Sequence, residues 1–275
     1  MVMDTVQEQQ IMVCFPLMSK TKTETQSSAE TSQKVGIIWG RMDRHKGGQR
    51  PILSQLHIVR AAIEIADTEG IQELSIRHMA AKLGVSKTAL YWYVESKEDV
   101  LDLMIDAVYA EMVFPQPSSG SWRTDCIILA KQVRTVMRCH PWLAPLSSNR
   151  PLLGPNALKM HEYLLATLNP LALDLSMTLG IVEIIGVYLR GFVQKEVGEA
   201  EVQRRSGLSE EEWCVSIAPY IQKQIVENPQ YPHLGYAFLH AQEWDDDRRF
   251  EFGLTCLLDG VAAQILQAQG EKRDE

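Results

Sequence analysis

From Ser54 onward the chain carries one dominant pattern: apolar residues recur every three or four positions, and prolines fall where that recurrence breaks. This spacing gathers apolar side chains on one face of an α-helix. Pro115 and Pro117, Pro141 and Pro145, Pro151 and Pro155, Pro170, Pro229 and Pro232 mark the joints. A proline lacks the helical N–H and clashes with the preceding turn. The expected helices cover residues 54–69, 75–82, 86–93, 97–113, 122–139, 155–168, 172–201, 209–227 and 245–268, with a weaker piece at 233–242. Pro219 lies inside one segment, where a kink is expected. No alternating β-branched run and no Asn-Gly turn marks a strand pair. The fold class is therefore all-α.

A chain of 275 residues, 45% hydrophobic and 23% charged, has the composition of a soluble globular protein. The net charge of −8 excludes a wholly basic nucleic-acid coat. The charge is uneven, however. Within residues 41–60, Arg41, Arg44, Lys46, Arg50 and Arg60 face Asp43 alone and leave a local +4. Binding a phosphate backbone needs only one basic face. Residues 1–34, rich in Gln, Ser, Thr and Glu, are expected to form a disordered tail, and residues 35–53 a basic arm.

Other chemistries find little support. Cys14, Cys126, Cys139, Cys214 and Cys256 are odd in number, scattered, and include no Cys-x-x-Cys pair, so neither a disulfide framework nor a zinc knuckle is expected. Asp4 and Glu8, with no cationic start before an apolar run, argue against a secretory signal. The most apolar stretch, 178–193, holds Glu183 and Arg190 and reads as too short and too charged to span a bilayer. A cytoplasmic protein without a membrane partner is expected. There is no Gly-rich phosphate loop, no Gly-x-Ser-x-Gly and no His-Glu-x-x-His, so no enzymatic activity is expected. Neither a cofactor nor a metal is expected: His140 and His161 lack a paired-histidine helical spacing. The acidic runs 210–212 and 245–247 sit at helix starts, where they complement the dipole.

Residues 54–112 are the most informative. Ser54, Ser75, Ser86 and Ser96 each stand where a helix begins, as N-caps do. Ser96 has Asp99 three residues on, a box-like arrangement. Gly70 is expected to end the first helix in the left-handed conformation. Two short helices joined through Gly84 and Val85 form the helix-turn-helix pattern. Ala80 allows close helix crossing, while Leu90 and Val94 are spaced to bury the third helix. Lys87, Thr88 and Tyr91 are left on its outer face, with donors suited to phosphates and base edges.

The run from Ile58 to Gly70 resembles the first helix of the TetR family of transcriptional repressors. Leu74 to Ser86 resembles the family's second helix and turn, and Ala89 to Glu98 its recognition helix and the start of the fourth. The resemblance implies DNA contacts from Arg77, Lys87, Thr88, Tyr91 and Lys97, with Ser75, Ser86 and Trp92 beside them. Ala89 stands where some relatives carry a base-contacting Thr. His78 is expected to be a partly exposed helix residue. Arg41, Arg44, Lys46 and Arg50 precede the first helix, from where a basic arm reaches a minor groove or the backbone.

The family also implies a helix-turn-helix DNA-binding domain at 54–100 and a ligand-binding and dimerisation bundle at 101–275. The end of the chain, Phe250 to Leu254 with Leu257 to Gly260, resembles a tetracycline-repressor-type C-terminal domain. Expected pocket residues are Met137, His140, Trp142, Met160, Tyr163, Ile184 and Tyr188. Expected dimer contacts are Ile181, Ile185, Phe192, Phe250, Leu254, Leu257 and Val261. The partners implied are a double-stranded DNA operator, a small-molecule effector and a second copy of the chain. The function implied is a homodimeric repressor released by its effector. An activator or corepressed regulator of the same fold, a helical enzyme and a protein-binding adaptor are the alternatives.

Overall fold

The structure, a computed structural model, describes residue 39 and residues 53–114, 119–146 and 152–274, with the side chains at 199–201, 203–205, 210 and 271–274 outside that description. The expected tail at 1–34 and the arm residues Arg41, Arg44, Lys46 and Arg50 lie outside the described residues. Helices account for nearly all the regular structure, and no strand occurs among the described residues.

The reading head consists of α1 (Gln55–Thr68), α2 (Ile76–Leu83) and α3 (Lys87–Tyr91), followed by α4 (Lys97–Tyr109). Each helix starts at a serine whose side chain accepts a backbone N–H three residues on: His57 at Ser54, His78 at Ser75, Ala89 at Ser86 and Asp99 at Ser96. These caps satisfy N–H groups that a helix start leaves without an intrahelical partner. The box at Ser96 is displaced by one residue, since the Asp99 carboxylate accepts the Glu95 N–H at 2.8 Å. Gly84 ends α2 at φ 66°, ψ 29°, in the left-handed region that glycine enters without a Cβ clash. Gly70 follows α1 at φ 101°, ψ 153°, a positive φ that favours glycine although its ψ lies outside the left-handed helical well, and it opens a short 3-10 turn over Ile71–Glu73. Ile58, Ala62, Ile65, Met79 and Leu90 are fully enclosed in the head's core. Burying each of the larger of these side chains stabilises by about 1.5–3 kcal/mol.

The body contains α5 (Trp122–Cys139), α6 (Leu143–Leu146), α7 (Pro155–Leu168), α8 (Leu175–Ser206), α9 (Glu210–Ile221), α10 (Pro232–His240) and α11 (Asp246–Asp274). α5 packs on α7 and α8, and α8 also packs on α6, α7 and α11. α4 packs on α1 at one side and α7 at the other, so it runs unbroken through the boundary expected at residue 100. After Pro219 the segment expected at 209–227 changes into a π-helical turn over Gln222–Val226.

α8 corrects one expectation. It is longer than the apolar run 178–193, and Leu175–Gly198 is long and apolar enough to cross a membrane by length and composition alone. Here it packs along the bundle, with Ile181, Ile185, Leu189 and Val193 buried at spacings of four.

Candidate nucleic-acid interface

The third helix is only five residues long, yet its orientation is fixed at both ends. Leu90 and Val94 are buried beneath it. Beyond its C-terminus, the Tyr93 hydroxyl donates to the Leu53 carbonyl at 2.8 Å and ties the reading unit to the chain entering α1. Tyr93 was not singled out from the sequence, because a partner forty residues away leaves no local signature. The opposite surface is open: Lys87 and Thr88 are exposed, Tyr91 is 53% exposed and Trp92 76% exposed. A ring as exposed as Trp92 contributes little to the chain's own core.

Around this helix, Ser75, Arg77 and Ser86 are exposed and Lys97 is half-buried at the start of α4. The head thus presents Ser, Arg, Lys, Thr and Tyr donors together with the N-terminal ends of α2 and α3. These are the groups that position a protein on phosphates and read base edges. His78 turns away from this surface: Nδ1 lies 3.1 Å from the Glu73 carbonyl and Nε2 3.5 Å from Glu69. It is half-buried, as expected.

The residues expected to form an effector pocket separate into four groups. His140 and Trp142 are buried but face the head, where both contact Asp67 of α1. Ile184 is 43% exposed on the outer face of α8. Tyr188 bridges α8 and α11 by donating to the Phe250 carbonyl at 2.7 Å. Met137 and Tyr163 are buried in the body, and Met160 is half-buried on α7. Tyr163 stacks on Phe114 with ring centres 5.1 Å apart. Its hydroxyl and the neighbouring Thr167 Oγ1 are buried without a hydrogen-bond partner among the described residues. Burial raises the Tyr163 hydroxyl above its ordinary pKa, Asp125 and Cys126 add to the shift, and the adjacent Thr167 hydroxyl opposes it, so the two hydroxyls lie side by side without a well-formed bond between them. The grooves of about 550 and 290 Å³ on the described surface lie along α11 and the end of α5, and none of the seven expected residues lines them.

Most of the expected dimer contacts lie inside the single chain. Ile181, Ile185, Phe250, Leu254 and Val261 are buried within the single chain, and Phe192 and Leu257 are half-buried. They face their own core because α8 and α11 pack on each other. The aromatic centre of that packing is Phe250, with Phe192 5.2 Å away edge-on and the Arg134 guanidinium 4.5 Å above its ring. Arg134 is held by Glu196 through Nε at 3.1 Å and by Asp247 at 2.7 Å. These pairings raise its already high pKa. Among the residues α8 leaves outward are Ile184, Val187 and Gly191, with Gly180 partly exposed, at spacings of three and four. α11 leaves Phe252, Cys256, Gly260 and Ala263.

A bundle bearing a helix-turn-helix head with an open third helix defines a DNA-binding regulator. Comparison with known proteins places it further. Residues 58–104 match the family described as bacterial regulatory proteins, tetR family, and residues 114–265 match the tetracyclin repressor-like C-terminal domain. The chain belongs to the TetR family of transcriptional regulators. It is 32% identical to the HTH-type transcriptional repressor DrrR1 of Streptomyces coeruleorubidus, covering 90% of this chain and 92% of that one. It is 38% identical to an HTH-type transcriptional regulator of Saccharopolyspora erythraea, covering 89% and 97%. Among solved structures, ActR of Streptomyces coelicolor in complex with actinorhodin has 25% identity and a TM-score of 0.66, covering 78% of this chain and 99% of that one.

Proposed function

We propose that this chain is a homodimeric repressor that binds a palindromic operator and is released by a small molecule held in the body. The observation that carries the reading is the outer face of α3, where Lys87, Thr88, Tyr91 and Trp92 stand exposed while Leu90 and Val94 anchor the helix from beneath. The name of the repressor DrrR1 supports the sign, and the ActR complex supports a ligand held by a chain of this fold.

The outward stripes of α8 and α11 are the surfaces on which a second copy packs in this reading. Gly180, Gly191 and Gly260 have open space above them and permit close helix approach. A two-fold dimer sets its two recognition helices about 34–36 Å apart, one turn of duplex. The neighbouring hydroxyls of Tyr163 and Thr167, buried with no well-formed hydrogen bond among the described residues, give an effector two polar attachment points beside the Phe114 ring. The basic arm, with Arg41, Arg44, Lys46 and Arg50, adds phosphate contacts in front of α1.

Gel-shift titration with the DNA immediately upstream of the chain's own gene, at two salt concentrations, tests the reading. A defined shifted complex that weakens steeply with salt is expected. Removing residues 1–51 should lower affinity and flatten that salt dependence. No sequence preference over unrelated DNA overturns the reading. Binding that arises only when a small molecule is added reverses its sign, to a corepressed regulator or an activator.

A further inference from the structure

We propose that Asp67 is a coupling residue, through which the body grips the reading head at a point separate from α4. The inference rests on the regulatory reading above and deepens it.

Asp67 lies in the last turn of α1. The Trp142 indole N–H donates to its Oδ1 at 2.6 Å, and His140 Nδ1 lies 2.9 and 3.0 Å from its two carboxylate oxygens. Both rings belong to the corner between α5 and α6. They lie 5.7 Å apart, tilted against each other, and are buried. His140 Nε2 faces Glu111 at 3.3 Å, just past the end of α4. One imidazole therefore spans α1 of the head and the far end of α4, the lever helix of the proposed reading.

Two features make this more than surface decoration. An indole N–H is a donor only, and once buried it requires an acceptor. Here the acceptor comes from the head. In addition, α4 carries the chain from head to body and packs on α1, and the grip on Asp67 adds a second attachment that does not run along α4. The α5–α6 corner also carries Met137, buried in the body, and α6 packs on α8. A rearrangement in the body that shifts this corner thus reaches α1 without passing along α4.

The test uses the full chain and hydrogen exchange read by mass spectrometry, with no DNA present. Asp67→Asn keeps the side-chain shape, and its site is partly open, so the fold survives it. Peptides covering α1 should exchange about tenfold or more faster, the scale of a lost charge-assisted hydrogen bond. Peptides from α5 and α7 should keep their rates. Trp142→Phe, which removes the donor, should give the same pattern. Unchanged α1 exchange in Asp67→Asn overturns the proposal, and so does a parallel rise in every helix. The second readout is binding to the upstream DNA fragment, where Asp67→Asn should shift Kd at least about fivefold at unchanged melting temperature. An unshifted Kd overturns the coupling even if α1 loosens. If the wild-type chain ignores the fragment, the regulatory reading fails on its own, and the latch is then judged by exchange.

Discussion

The carboxylate of Asp106, on α4, accepts both the backbone N–H and the side-chain amide of Asn156 at 2.8 Å, at the first turn of α7. The Ala157 N–H adds a third bond at 3.0 Å. A helix start is normally capped by its own preceding residue, but here that residue is Gly154, which has no side chain to offer. The cap comes instead from the lever helix, and a negative charge at this end also suits the helix dipole. A Cβ on residue 154 would stand 2.2 Å from Asp106 Oδ1, so glycine is what lets the carboxylate in. Asp106→Ala should cost about 2–3 kcal/mol, because it strands buried N–H groups. Gly154→Ala should cost about 1–3 kcal/mol through steric displacement of the same carboxylate. The double variant should be less destabilised than the sum of the two, since both break one contact. Urea denaturation at constant m-value checks all three.

Tyr163 and Tyr188 make an opposed pair. The Tyr188 hydroxyl donates to the Phe250 carbonyl and helps hold α8 on α11, whereas the Tyr163 hydroxyl is buried with no partner among the described residues. Tyr188→Phe should destabilise by about 1 kcal/mol, the usual net value of such a bond. Tyr163→Phe should be neutral or stabilising, because it removes a desolvated group that gains nothing in return. Paired thermal melts decide the matter: a Tyr163→Phe loss as large as that of Tyr188→Phe would contradict this assignment.

The head was legible because its signals are local. Four serines stand three residues before the N–H groups they cap, Gly84 must take a left-handed turn, and the burial of Leu90 and Val94 follows from helical spacing. The body was less legible for a physical reason. α8 is apolar nearly all round, so periodicity identifies two faces and does not say which one turns inward. That is why Ile181 and Ile185 were read as an interface when they are core, and why Ile184 was placed in a pocket when it is exposed. The junction was invisible for another reason. His140 and Trp142 lie 73 and 75 residues from Asp67, and no pattern in the chain records a contact made only by tertiary packing. Their aromatic character suggested a pocket, while their actual partner is a carboxylate on another domain.

Burial raises the Tyr109 hydroxyl to a pKa of about 12, partly offset by Arg190, and raises the Cys126 thiol to about 12, with Asp125 contributing. Both groups are held in their neutral forms. For Tyr109 the folded state therefore binds its proton more tightly than the unfolded chain. Its contribution is fully present below the unfolded value near 10 and is lost as pH rises through about 12. The loss should amount to about 2–3 kcal/mol. Tyr109→Phe should flatten that part of the alkaline stability profile, measured by denaturant midpoints. For Cys126, a thiol reagent at pH about 8 should leave it unmodified in the native chain and label it only in denaturant, since the thiolate is the reactive form. Cys139, Cys214 and Cys256, all exposed, should react in the native state.

The recognition face divides by chemistry, and its members should fail in different ways. In the proposed reading, Lys97, half-buried at the start of α4, and the hydroxyl of Tyr91 contact phosphates. Replacing Lys97 with Ala should then weaken binding to all DNA alike and reduce the salt slope by about one unit. Thr88 and Lys87 are the base-reading residues of the same reading. Thr88→Ala or Lys87→Ala should cost about 1–3 kcal/mol on the preferred site and less on unrelated DNA, so the ratio of the two affinities falls. Trp92→Ala removes a ring that the fold does not use, so its melting temperature should hold while binding to the upstream fragment falls. The measurement is a set of fluorescence-anisotropy titrations at three salt concentrations on specific and scrambled duplexes. Equal losses on both duplexes for Thr88→Ala would move Thr88 from reading bases to holding the backbone. Unchanged binding for Lys87→Ala, Thr88→Ala and Trp92→Ala together would remove α3 as the reading helix.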